Sequence, residues 1–229
     1  MTATRLRSLT GLALASTVLL TGCGSVPDFS PGVAAQVGSD TVSMRTVDDV
    51  TTSYCAAAEK QLQQGQALPQ HYLRGQVAGG LALRAAADQF AAEHGVTADP
   101  EYAKAVAQAE ESLKALPADQ RQALIDVQGA AIYVQAVEKS AGEAILRDAG
   151  RANASAKAAQ AAGQKAFTEW LADQDIRMDP RLGVSIDQGS TAPADTSLSF
   201  AVGDTAKSAD ATSPDTQYAA GLPEAQRCG

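Results

Sequence analysis

The chain has 229 residues, a length that suits one domain with short additional segments. It holds 26 acidic and 18 basic residues, for a net charge of −8. An acidic surface repels nucleic acid and anionic lipid headgroups, so we expect neither as a partner of the body of the protein. Aromatic residues make up only 4% of the chain and alanine is very common. This composition favours long helices around a thin core of small side chains.

The first 22 residues have the three parts of a secretory signal peptide. Arg5 and Arg7 form a charged start, an apolar run follows from about Leu9 to Leu20, and a small-residue site comes next. The run is too short to span a bilayer, which takes about 20 apolar residues. We therefore predict that residues 1–22 are removed. Because they contain two basic and no acidic residues, their loss changes the net charge from −8 to −10.

The segment Leu20-Thr21-Gly22-Cys23 resembles the lipobox of bacterial lipoproteins. In that class of protein the cysteine thiol is alkylated by a diacylglyceryl group, and the cysteine becomes the first mature residue. The resemblance implies lipidation at Cys23 and attachment to the extracytoplasmic face of the cell membrane. Residues 23–32, which contain Gly, Ser and two Pro, would be a flexible tether. An ordinary cleaved signal followed by a chance cysteine is the alternative.

A strand, a tight turn and a short second strand are predicted for residues 34–42, with Gly38-Ser39-Asp40 as the turn. Thr46 and Asp49 have the spacing of a helix capping box. A first helix is therefore predicted over about Val47–Gln64. Its apolar stripe, with Cys55 beside it, consists of Val47, Val50, Tyr54, Ala58 and Leu62.

Further helices follow from helical periodicity and from their start and stop residues. Asp99-Pro100 is a typical helix start, with a capping acid followed by proline at the first helical position. Gly129 and Gly142 lower helix propensity inside the longest of these segments. The predicted helices cover about residues 70–94, 100–115, 118–147 and 154–173.

The pattern changes after the last helix. Ile176–Met178 alternates like a strand, and residues 187–229 are dominated by Ser, Thr, Asp, Ala and Gly. Such a segment buries little apolar surface, so we predict an extended polar tail that is held only at its end. The domain organisation predicted from the sequence is thus a mainly α-helical body over residues 33–186 with this tail after it.

The cysteines favour one disulfide. With Cys23 assigned to the lipid, Cys55 and Cys228 remain as an even pair in a compartment that permits disulfides. A bond between them would join the end of the chain to the first helix. Two free thiols are the alternative. A metal site is less favoured, because these cysteines and the two histidines, His71 and His94, show no ligand spacing.

No catalytic constellation stands out, and we expect neither enzyme activity nor a cofactor. The chain has no nucleophile motif of the G-x-S-x-G type. Gly79 and Gly80 lie inside a helical pattern and indicate close helix packing or a bend rather than a phosphate loop. Glu110 and Glu111 are interpreted as surface charge on a helix.

Three segments, taken in order, resemble the SurA N-terminal domain family. They are the strand-turn-strand at 33–42, the helical run Leu73–Thr97, and the stretch Phe167–Gly183 with its Trp170-Leu171 and Ile176-Arg177-Met178. That family includes periplasmic chaperones, PrsA-type foldase lipoproteins and the related helical arms of trigger factor. The resemblance covers about residues 33–184.

The resemblance implies a mainly α, helical chaperone module with a small β pairing between Val33–Val37 and Gln174–Met178. Its helices would form a cradle for apolar segments of unfolded or secreted proteins. Phe167 and Trp170 are candidate client-binding residues, with a core anchor as the favoured alternative. Many relatives also contain a parvulin-type prolyl isomerase domain of about 90 residues with active-site histidines. Residues 101–164 hold no histidine, so isomerase activity is not expected.

From these observations we expect a lipid-anchored, non-catalytic protein that binds unfolded proteins as a chaperone does. The alternative is a structural or adaptor lipoprotein that kept the fold and binds one fixed partner.

Overall fold

The computed structural model of the protein describes residues 31–194, 201–209, 211 and 213–229. The predicted signal peptide, the lipidation site Cys23 and the tether up to residue 30 lie outside the described residues. Within the described part the fold is mainly α-helical with small antiparallel sheets, as the sequence predicts.

Of the described elements, the six longer helices lie between β2 and β4 in the chain, and most of the short strands lie before or after them. The strands are β1 (Val33–Val37), β2 (Asp40–Ser43), β3 (Leu68–Pro69), β4 (Ile176–Met178), β5 (Val184–Asp187), β6 (Ser190–Pro193) and β7 (Arg227–Cys228). The helices are α1 (Met44–Ala58), α2 (Gln70–Glu93), α3 (Pro100–Ser112), α4 (Ala118–Gln128), α5 (Ala130–Asp148), α6 (Ala156–Asp173), α7 (Asp204–Ala209) and α8 (Thr216–Ala220). No described helix combines the length and the apolar character that crossing a membrane requires.

The predicted pairing of the early and late strands is confirmed. The three-stranded sheet has the order β2-β1-β4, and both pairings of β1 are antiparallel. Val37 pairs with Asp40 on one side and with Ile176 on the other. The turn between β1 and β2 is fixed from the side by Gln89 of α2, whose Nε2 donates to the Val37 carbonyl at 2.6 Å. The two ends of the helical body therefore meet on one sheet.

Helix α2 is the central element of the core. Val77, Leu83 and Phe90 are among its fully or nearly fully buried side chains, and they contact the sheet, α5 and α6. Gly79 belongs to the same helix at its contact with the β5–β6 hairpin. A Cβ atom there would lie 1.9 Å from Cγ2 of Thr191, so glycine is required for this close approach. Close packing at Gly79 is therefore present, although its partner is a hairpin and not another helix.

Helices α5 and α6 cross at very short distance because small residues lie at the crossing. A Cβ atom on Gly163 would lie 1.7 Å from the carbonyl oxygen of Glu138, and one on Gly142 would lie 1.9 Å from that of Ala159. Side chains larger than hydrogen would force the helices apart.

The structure differs from the sequence predictions at several helix boundaries, and α1 ends at Ala58 instead of near Gln64. The segment 118–147 is two helices, α4 and α5, which meet at Gly129. Helix α1 begins earlier than predicted: Ser43 is its N-cap, and its side chain accepts a hydrogen bond from the Thr46 amide at 3.0 Å. This helix also buries a rotated face. Val47, Thr51 and Ala57 are buried, whereas Tyr54, which we expected in the core, is half-buried.

The segment predicted as an extended tail contains regular structure. Strands β5 and β6 form an antiparallel hairpin over residues 184–193, so the predicted domain boundary at residue 186 falls inside it. Val184 is buried in one core cluster and Ile186 packs against the other. These apolar residues anchor the hairpin on α2. Its turn has Gln188 and Gly189 at positive φ, 46° and 78°, a conformation typical of two-residue hairpin turns.

Candidate functional site

An open apolar groove lies beside helix α3. This helix has no buried residue, although one of its sides is apolar. That side faces α4 and the start of α5 across a space of about 270 Å³. We call this space the α3 groove; its lining residues are Tyr102, Ala105, Val106, Ala109, Leu113, Leu124, Ile125, Gln128, Gly129 and Ile132.

The start of α3, at one end of the groove, is attached to α5 through Asp99. The Asp99 side chain caps the helix by accepting from the Glu101 amide at 2.9 Å, and it also forms an ion pair with Lys139 of α5 at 2.7 Å. The Asp99 amide donates to the carbonyl of Ala136 at 3.1 Å. The hydrogen bond from Lys139, with the one from the Glu101 amide, lowers the pKa of Asp99 below its ordinary value. These contacts fix one end of α3 to the body.

The floor of the groove depends on the break between α4 and α5. A Cβ atom on Gly129 would lie 2.3 Å from the carbonyl oxygen of Ile125, so the chain needs glycine at this junction. The break brings Ile132 to the groove, where 51% of this residue remains exposed to solvent. A large aliphatic side chain in water is a site where burial by a partner is favourable.

A polar cluster closes one end of the groove. Arg84 of α2 donates from Nη1 to the Tyr102 hydroxyl at 3.0 Å, and its guanidinium carbon lies 4.6 Å from the centre of the Tyr133 ring. Asp126 lies 3.6 Å from the same guanidinium group, and the Tyr133 hydroxyl donates to Asp88. Burial and the hydrogen bond to Asp88 raise the pKa of Tyr133 to about 12. Every member of the cluster is thus engaged with another member.

The predicted disulfide is present. Cys55 of α1 and Cys228 of β7 are bonded, with their Cα atoms 5.6 Å apart. Pairing of β7 with β3 places Cys228 opposite Leu68. Glu59 lies close enough to both sulfur atoms to complete a three-residue cluster of metal-ligand type. Because the two sulfurs are bonded to each other, they are not thiolate ligands, and we assign this cluster to the disulfide.

The aromatic pair proposed as a client-binding surface lies in the core. Phe167 is completely buried and packs edge-on against Phe90, with ring centres 5.1 Å apart. Trp170 is partly buried and donates from Nε1 to Glu93 at 2.8 Å. A fully buried ring cannot contact a client in this state, so Phe167 is corrected to a core residue. Trp170 lies beside it, which agrees with the core-anchor alternative.

The α3 groove was not predicted from the sequence, although the sequence contains a signal for it. Tyr102, Val106, Ala109 and Leu113 recur at intervals of three and four residues, which predicts an apolar helix face. Nothing in that pattern distinguishes a face that packs into the core from one that lines a groove.

In comparisons with protein families, with curated proteins and with solved structures, none matches this chain.

Proposed function

We propose that this protein is a lipid-anchored, extracytoplasmic protein-binding module of chaperone type, which holds short apolar segments of unfolded or secreted proteins in the α3 groove. The observation that carries the proposal is the groove itself. Helix α3 directs its apolar side toward open space instead of burying it, and Ile132 at the groove is half exposed. An apolar surface left in this way gains free energy when a partner covers it.

The chemistry of the lining favours segments of polypeptide over a specific small molecule. Small-molecule sites combine apolar walls with a few polar groups that orient the ligand. The polar lining side chains of the groove are already engaged: the Tyr102 hydroxyl accepts from Arg84, and the Gln128 amide donates to the Tyr54 hydroxyl at 3.0 Å. The remaining lining is aliphatic or backbone, and hydrophobic contact is non-directional. Such a surface suits varied aliphatic side chains.

The strand pairing supports a module like that of the SurA N-terminal domain family. The resemblance implied that residues 33–37 lie beside residues 174–178, and β1 pairs antiparallel with β4, with Ala35 opposite Met178. In this proposal the helices between those strands are the client-binding part, and Cys23 attaches the module to the membrane. Residues 100–173, where relatives with an isomerase domain would hold mixed strand and helix, form four helices here, so we propose binding without isomerase activity.

The proposal is tested by suppression of aggregation of several unrelated unfolded clients. The variant Ile132→Asn places an amide at the groove without disturbing a buried residue, and we expect it to reduce suppression by at least threefold. The matched control is Val202→Asn, because Val202 is 85% exposed and does not line the groove. Equal loss in both variants would contradict a role for the groove.

The same assay separates chaperone from adaptor. An adaptor would suppress aggregation of none of the clients, and a pull-down from native membranes would recover one partner in fixed proportion. That result would contradict the chaperone proposal and support an adaptor that binds one fixed partner. A proline-limited refolding assay tests whether the protein lacks isomerase activity. Uncatalysed proline isomerisation gives a slow refolding phase of tens of seconds or more. If a substoichiometric amount of the protein accelerates that phase, the proposed absence of isomerase activity is contradicted.

A further inference from the structure

One buried acid lies apart from the α3 groove and from the disulfide. Glu138, midway along α5, is only 6% exposed. Its backbone carbonyl lies at the close crossing of α5 and α6, directly against Gly163. Because the helices approach so closely there, α6 covers the side chain and separates it from solvent.

A third element covers the same carboxylate. The turn of the β5–β6 hairpin lies over it, such that a Cβ atom built on Gly189 would be 3.9 Å from Oε1 of Glu138 and 3.3 Å from the Phe167 ring. The strands of the hairpin are anchored elsewhere, through Val184 and Ile186 in the core. Its turn is thus a separate contact with the α5–α6 pair, made at Glu138 and Phe167.

The groups that face Glu138 are neutral. Gln160 of α6 donates from Nε2 to Oε2 at 2.8 Å, Phe167 of α6 contributes an aromatic ring, and the hairpin contributes the Gln188–Gly189 turn. Burial raises the pKa of Glu138 to about 7, and the hydrogen bond from Gln160 offsets part of the increase.

The charged residues of the surrounding elements point elsewhere. On α2, Arg84 pairs with Asp126 and Tyr102, and Asp88 accepts from Tyr133. On α5, Lys139 pairs with Asp99. On α6, the charged residues on either side of Gln160 in sequence, Lys157 and Lys165, are exposed. Asp187 of the hairpin is exposed as well. None of these residues contributes to the pKa of Glu138.

We propose that Glu138 is a proton-dependent latch for the turn of the β5–β6 hairpin. In its neutral form the carboxyl group packs beneath Gly189 and accepts from Gln160. In its ionised form it needs more hydrogen bonds than one amide supplies, and water enters between the turn and the α5–α6 pair. The turn is the element that moves, because only a two-residue connection has to lift while the strands stay anchored.

The direction of the pH dependence follows from linkage. An unfolded glutamate has a pKa near 4.5, and folding raises it to about 7. The folded state therefore binds the proton more tightly, and this contribution to stability is complete below pH 4.5 and is lost as the pH rises through 7. We expect the turn to be docked at pH 5.5 and lifted at pH 8.5.

The test measures the amides of residues 187–190 by NMR in the wild type, in Glu138→Gln and in Glu143→Gln. Glutamine keeps the size and a hydrogen-bond acceptor but cannot ionise, and Glu143 is an exposed acid on the same helix. After correction for intrinsic rates, we expect exchange protection in the wild type to fall at least tenfold between pH 5.5 and pH 8.5. Glu143→Gln should behave in the same way, and Glu138→Gln should stay protected at both values.

A transition that persists in Glu138→Gln would overturn the proposal. A second measurement serves if that variant does not fold: the ¹³C shift of the Glu138 carboxyl group in the wild type. A midpoint between pH 6 and 8 that coincides with loss of turn protection supports the latch. A midpoint near that of free glutamate, or a midpoint near 7 without any change in protection, overturns it.

Discussion

Cys55 and Cys228 are bonded although they lie 173 positions apart in sequence. The bond fixes β7 beside β3, and β3 belongs to the connection between α1 and α2. Cys228 is completely buried at this position. Glycine at position 229 packs against the same connection, where a Cβ atom would lie 2.8 Å from the carbonyl oxygen of Gln66. Strand β7 has only two residues, so its pairing with β3 alone would hold it weakly. The disulfide therefore fixes the last strand in position.

Removing the disulfide with the double substitution Cys55→Ala and Cys228→Ala should lower the free energy of unfolding. Loop-closure entropy for so long a loop gives about 4–5 kcal/mol, and measured losses are often smaller. Urea denaturation of oxidised wild type, reduced wild type and the double variant measures the effect. We expect the reduced wild type to resemble the double variant. Equal midpoints for oxidised and reduced protein would show that the bond does not stabilise the fold.

The sequence was informative where local signals and tertiary packing agree. Asp99-Pro100 predicted the start of α3 because capping is a local interaction, and residues 38–40 predicted the β1–β2 turn for the same reason. The buried face of α1 was predicted only in part, since Val47 is buried as predicted but Tyr54 is only half-buried. Thr51 is polar, yet it is buried because its hydroxyl donates to the Val47 carbonyl at 2.6 Å, and periodicity of apolar residues alone does not reveal that.

The hairpin and the groove were not predictable from local pattern. Strands β5 and β6 have only four residues each, and they are ordered by the packing of Val184 and Ile186 in the core and by the close approach of Thr191 to Gly79. The α3 groove lies between helices whose placement involves the break at Gly129 and the ion pair between Asp99 and Lys139. These contacts join residues far apart in the chain, so they become visible only in three dimensions.

Cys23→Ser should abolish membrane attachment of the mature protein, because serine lacks the thiol that forms the thioether. Two or three acyl chains on one residue anchor a protein firmly, whereas the acidic body provides no electrostatic attraction to the membrane. Detergent phase partitioning and membrane fractionation measure the change, with Ser30→Ala in the predicted tether as a control that leaves Cys23 and the disulfide intact. Persistence of Cys23→Ser in the lipid-modified fraction would show that the lipobox interpretation is wrong.

Gly163→Ala should destabilise the protein by about 2–3 kcal/mol, because the new methyl group would collide with the Glu138 backbone and force α5 and α6 apart. Gly203→Ala is the matched control, since nothing lies within 4 Å of its added Cβ atom, and its effect should stay within about 0.5 kcal/mol. Thermal unfolding of both variants provides the comparison. A Gly163→Ala protein as stable as the control would mean that the helix crossing is looser than the structure describes.

The ion pair between Asp99 and Lys139 should determine how firmly α3 is held over its groove. Lys139→Gln removes the charge while keeping much of the side chain, and we expect the amides of α3 to exchange roughly five- to tenfold faster. Lys165→Gln is the control, because the Lys165–Glu169 pair spans 3.7 Å on an exposed surface and should contribute little to stability.

The same ion pair predicts a pH dependence. The pKa of Asp99 is lowered in the folded state, so the contribution of this carboxylate to stability is present above the ordinary value of 3.8 and is lost as the pH falls through the folded pKa. Acidification toward pH 3 should therefore loosen α3 in the wild type, with a smaller change in Lys139→Gln. If both proteins respond to acid alike and their α3 amides exchange at the same rate, α3 is held by other contacts.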